Sequence, residues 1–114
     1  MHGIIDIEAT IAGADSEFPA LFQLFGGYFH QDWHEDYATT RDAASAFVRE
    51  APPDGVRAAV RELDQLLDMR LDEATLSRLL REGFDCNYVP QVDELTNHDW
   101  LVQLRQLLMP GART

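Results

Sequence analysis

The chain has 114 residues, 46% of them hydrophobic and 25% charged, with five Pro, seven Gly and one Cys. That length suits one compact domain with a core large enough to stand without disulfides or a structural metal, and the single cysteine, Cys86, excludes an internal disulfide framework. Twenty acidic residues against nine basic ones leave a formal charge of −11, which repels phosphate backbones and anionic headgroups and so argues against nucleic acid and membrane surfaces as partners.

In chain order, residues 1–15 are ambiguous. Ile4, Ile5, Ile7 and Ile11 are compatible with a strand, a helix or an arm lying on the rest of the protein. The start has neither a basic n-region nor a long apolar stretch, which points to a cytoplasmic protein. From Glu17 to about His30, Phe18, Leu21, Phe22, Phe25, Tyr28 and Phe29 recur at three- and four-residue steps and predict the inner face of a first helix, with Pro19 in its first turn. A second helix is expected over 40–50, with Thr39 as its cap and Ala43, Ala44, Phe47 and Val48 inward. The third, over 53–68, has Val56, Val60, Leu63, Leu66 and Leu67 on one side and Arg57, Arg61, Glu62 and Asp64 on a solvated other side.

Asp72 then caps a short helix holding Leu76, Leu79 and Leu80, with Gly83 as its stop. Residues 84–95 lack periodicity and read as a connector, with Cys86 to Val89 as a candidate extended stretch. Thr96 and Asp99 open a last helix lined by Trp100, Leu101, Leu104, Leu107 and Leu108, which Pro110-Gly111 should end. The fold class is therefore all-α: a compact single-domain bundle of about five amphipathic helices. It divides into an N-terminal arm, 1–15, and a helical domain, 16–114.

Charge is distributed unevenly. All nine basic residues are Arg, and residues 1–40 hold seven carboxylates and no Arg, giving −7, against −4 for residues 41–114. Plain solubility accounts for such an excess; so does attraction of a basic protein partner, because complementary fields steer encounter.

The densest polar and aromatic cluster runs from Phe25 to Tyr37. One reading is catalytic: His30, Asp32 and His34, with Glu35 and Asp36, form a candidate metal cluster for a small metal-dependent enzyme, since His30 and His34 stand i, i+4 on a helix. The sequence does not match HExxH, and no second His or Cys cluster follows. Cys86 has no adjacent basic residue to stabilise a thiolate, and no nucleophile elbow or phosphate-binding loop is present. The other reading divides the run by chemistry. Tyr28, Phe29, Trp33 and Tyr37 supply aromatic area to bury, Asp32, Glu35 and Asp36 form an exposed acidic edge, and His30 is a hydrogen-bonded packing residue. Aromatic anchors beside unpaired carboxylates suit a protein-binding face.

Phe18-Pro19-x-Leu21 followed by Gly27-Tyr28-Phe29-His30-Gln31-Asp32-Trp33 resembles the opening motif of contact-dependent growth inhibition immunity proteins of the CdiI type. The tail, with Gly83, Tyr88, Pro90 and Trp100-Leu101, resembles that family's closing pattern, so the likeness spans about Glu17 to Leu108 and leaves residues 1–15 without a counterpart. The resemblance implies a helical cytoplasmic protein that is not an enzyme, needs no cofactor, and binds the C-terminal toxin domain delivered by a neighbouring cell. Many such toxins are nucleases with basic substrate surfaces. The candidate toxin-binding residues are Asp32, Trp33, Glu35, Asp36 and Tyr37, with Trp33 and Tyr37 as partly buried supports. The Arg/Asp-rich outer face of the third helix is the competing surface.

Overall fold

Local signals account for where the helices at Ile7, Thr40, Glu73 and Asn97 begin. In the computed structural model, residues 6–112 are described, and Ile4 and Ile5 lie outside them. Asp6 Oδ1 accepts from the Ala9 amide at 3.2 Å and opens α1 (Ile7–Ala12), so the ambiguous N-terminal stretch is helical from Ile7 onward. Two short helices, α2 (Ala14–Glu17) and α4 (Trp33–Asp36), flank α3 (Pro19–Tyr28), whose first position is the proline. Thr39 Oγ1 accepts from the Asp42 amide at 3.1 Å and starts α5 (Thr40–Glu50). Next comes α6 (Pro53–Asp68), again entered through a proline. Asp72 Oδ1 accepts from the Thr75 amide at 2.8 Å to open α7 (Glu73–Arg78), which runs on as a π-helical turn over Leu79–Gly83. A 3-10 turn (Pro90–Asp93) precedes α8 (Asn97–Ala112), where Thr96 Oγ1 takes the Asp99 amide at 3.0 Å.

Five longer helical stretches and three short ones thus make an all-α single domain, with no strand among the described residues. The long α6 and α8 pack most extensively on each other, α5 lies against α8, and α3 lies against α6. The radius of gyration, 13.4 Å, is that of one compact domain of this length. The interior is aromatic at one end. Trp100 contacts Phe25, Phe29 and Tyr88 with ring centroids 5.7, 5.3 and 4.8 Å apart, while Phe84 bridges Phe18 and Phe25. The aliphatic end is built from Val56, Val60, Leu63 and Leu66 of α6 with Leu101, Leu104 and Leu108 of α8.

Four local expectations change. The first helix is shorter than its apolar stripe, ending at Tyr28, because the chain turns at Phe29 to insert that ring into the core. Within it, Leu24 is fully buried while Phe22 is exposed: the apolar stripe is wider than the face that α5 and α6 cover. Pro110 does not end α8, which continues to Ala112. A proline in a last turn removes one N–H and already has a helical φ. Gly111 then lets the helix end lie against α5, since a Cβ there would meet Val48 Cγ1 at 2.5 Å. Finally, Glu62 is not on a solvated face. It is buried, and its Oε1 accepts from the Leu21 amide at 3.0 Å.

Candidate functional site

The turn joining α3 to α4 brings the Phe25–Tyr37 cluster to the surface in two layers. Below, Phe29 and Trp33 are buried. Trp33 meets Phe29 and Tyr88, both at 5.6 Å, and the Phe29 carbonyl oxygen accepts from the Asn87 amide at 2.8 Å, tying this turn to the 84–89 segment. Above, Asp32 just before α4 and Glu35 and Asp36 within it are exposed, the acidic edge that the sequence indicates. His30 fixes the turn. Its Nδ1 accepts from the Asp32 amide at 3.0 Å, and its Nε2 lies 3.3 Å from Asp36 Oδ2. His30 is therefore a hydrogen-bonded packing residue, as the sequence suggested.

The five candidate binding residues separate accordingly. Trp33 is core, deeper than a partly buried support. Tyr37 is half-buried and stacks on Tyr28 with centroids 6.2 Å apart. Asp32, Glu35 and Asp36 form the edge, and among the described residues the Asp32 and Glu35 carboxylates meet no hydrogen-bond or ion-pair partner. Nearby, Tyr28 donates to Glu50 Oε1 at 2.6 Å; burial and that carboxylate push the tyrosine up to about 12. Burial, then the charges of Glu50 and Asp36, raise Tyr37 as well, while Arg49 acts against them. The neighbourhood carries a negative field from several carboxylates at once.

The catalytic reading does not find its geometry. His30 lies in the turn before α4 and His34 inside it, so the two do not share a helix, and the His34 ring lies against Trp33 with centroids 3.8 Å apart. Among the described residues no three His, Cys, Asp or Glu side chains come close enough to share an ion. The Cys86 thiol is buried against the Tyr88 carbonyl at 3.7 Å, and burial pushes it up to about 12, far from a reactive thiolate. A shallow cleft beside it is lined by Leu80, Arg81, Glu82, Cys86, Tyr88 and Gln91.

Sequence reasoning missed two carboxylates that tie one helix of the scaffold to another. Glu62 of α6 caps α3, whose own N-cap residue, Phe18, has no acceptor side chain. Burial raises Glu62 above the usual carboxylate range, and the Leu21 and Ala20 amides draw it back. Glu73 of α7 accepts from the Asn97 and His98 amides at 2.7 and 3.1 Å and so caps α8, while Asn97 Nδ2 donates to Ser77 Oγ. Neither pairing has a local signal, because the partners stand 41 and 24 residues apart.

Fold and face together define a small all-α domain whose most distinctive surface is a carboxylate edge carried on an aromatic base. No described helix is long and apolar enough to cross a membrane. The sequence model of the CdiI immunity protein family matches residues 17–108, so the chain belongs to that family. Its fold is shared with a chain of the crystal structure of a CdiA-CT/CdiI complex from Y. kristensenii 33638, at 22% identity and a TM-score of 0.77, over 82% of this chain and 99% of that one. No curated protein matches the chain.

Proposed function

We propose that this chain protects the cell that makes it by binding the cognate C-terminal toxin domain of a contact-dependent growth inhibition system, in the cytoplasm, stoichiometrically and without catalysis. Membership of the CdiI immunity protein family across residues 17–108 carries this reading. The charge supports it: −11 overall, with no Arg among residues 1–40, suits a cationic partner. The toxin on this reading is a nuclease, whose phosphate-binding surface Asp32, Glu35 and Asp36 meet as substitutes for phosphate, with Trp33 and Tyr37 holding the edge from beneath. A standard interface of roughly 1,600 Å² in total would extend well beyond this one helix.

Co-expression tests it. This reading expects a large exported protein to be encoded beside this gene; its C-terminal domain should arrest growth, and this chain should restore it. Association should slow as salt rises, because exposed charges are screened beyond about 10 Å at 0.1 M. Changing Asp32, Glu35 and Asp36 to Arg should remove protection while leaving the helical spectrum unchanged. Growth arrest that persists with the wild-type chain present, and no complex between the purified proteins, would refute it.

A further inference from the structure

Two large apolar side chains are exposed among the described residues, Phe22 at 38% and Val92 at 73%. Val92 stands on a 3-10 turn between Gln91 and Asp93. Phe22 belongs to a surface. The outward side of α3 carries Pro19, Phe22, Gln23, Gly26 and Gly27, and helical spacing sets Phe22 and Gly26 in one row. That row borders the segment after the π-helical turn. A Cβ on Gly26 would lie 3.7 Å from the Phe84 carbonyl oxygen, and one on Gly27 would meet nothing within 4 Å. Further along, the Asn87 amide bonds the Phe29 carbonyl oxygen, so the row leads from an exposed aromatic ring over nearly bare helix backbone to His30 and the α4 edge. Asp85, exposed and at a φ of 55°, stands next to Phe84 on this border, and no Arg occurs among residues 6–40.

We infer that this row is the apolar half of the surface on which the toxin domain docks. The inference rests on the toxin-binding reading above and adds an anchor to it. Phe22 supplies apolar contact area, Gly26 and Gly27 let the partner's backbone come close to α3, and Asp85 and Asp32 meet cationic side chains at its margins. Charge complementarity selects this occupant: a second copy of the chain would bring another −11 against the same carboxylates.

The test uses the purified chain and the C-terminal domain encoded beside it. Phe22→Ser should weaken binding at least tenfold without lowering the melting temperature, because an exposed ring adds little to the core. Gly27→Gln should also weaken binding, with a melting temperature unchanged or higher, because Gln favours a helix more than Gly does. If neither substitution changes an affinity that reversal of Asp32, Glu35 and Asp36 does weaken, the row is not the docking surface and the toxin-binding reading stands. If the wild-type chain fails to bind, that reading fails and this inference with it. A Phe22-dependent dimer in sedimentation, or tighter toxin binding after removal of residues 1–5, would assign the row to a second copy or to the chain's own N-terminus and overturn the inference.

Discussion

The carboxylates of α4 and those of α6 and α7 are alike in chemistry and opposite in use. Asp32 and Glu35 are exposed and meet no partner among the described residues, while Glu62 and Glu73 each reach another helix's first turn and accept from amides that have no acceptor within their own helix. The first pair is available to something outside the molecule. The second pair is committed inside it, since the start of a helix leaves amides that must find acceptors. An acidic composition therefore does not translate into an acidic surface residue by residue. Two of the twenty carboxylates serve as long-range caps, and the binding face must be sought among those left over.

Substitutions can break this contrast, and the largest effect should come from beneath the α4 edge. Trp33→Ala would empty a site bounded by Phe29 and Tyr88 and should cost about 3–5 kcal/mol in denaturant unfolding, although Trp33 lies next to residues whose removal should cost almost nothing. Next is Glu62→Ala, which leaves the buried Leu21 amide without an acceptor and should cost about 1–3 kcal/mol. Glu62→Gln keeps an acceptor and should lose much less.

The same pair of proteins gives a pH signature. Burial raises Glu62 in the folded state above its ordinary 4.5, so between the two values the folded protein holds more protons than the unfolded one. Stability of the wild type should accordingly fall, relative to Glu62→Gln, as pH rises from near 4.5 through the raised value. Thermal melts of both proteins across that window would show it, and a constant difference would contradict the burial of a charged carboxylate. Glu73→Ala removes the acceptor of the first two amides of α8, leaving the Thr96 cap in place, and should cost about 1 kcal/mol. Smallest of all, Asp32→Asn with Glu35→Gln should stay within about 0.5 kcal/mol of the wild type. A larger loss would mean that these side chains hold the fold after all.

Much of the architecture was legible from spacing. The second and third helices begin and end where their caps and prolines put them, at Thr40–Glu50 and Pro53–Asp68. The Thr96–Asp99 pair opens α8 as its sequence indicates. Errors arose wherever a residue's fate depended on what lay opposite. Phe22 and Leu24 differ in burial because α5 and α6 cover one flank of α3 and not the other. His30 and His34 would stand i, i+4 if both were helical, but the chain leaves α3 at Tyr28 and re-enters helix at Trp33, with Phe29 and Trp33 in the core and His30 in the turn. Likewise Pro110 looked like a stop, and the close seat of Gly111 on Val48 lets α8 run past it.

The sequence by itself determined an all-α bundle, the starts of α5, α6, α7 and α8, its excess of negative charge and the family pattern over Glu17 to Leu108, because periodicity, capping and composition are local or additive properties. Only the tertiary structure decided which carboxylates are spent on distant helix starts, which aromatic ring stays outside, and that His30 falls in a turn apart from the helix that carries His34. Those outcomes depend on which surfaces meet across tens of residues, and burial changes the cost of a charge or a ring in ways that no local pattern records.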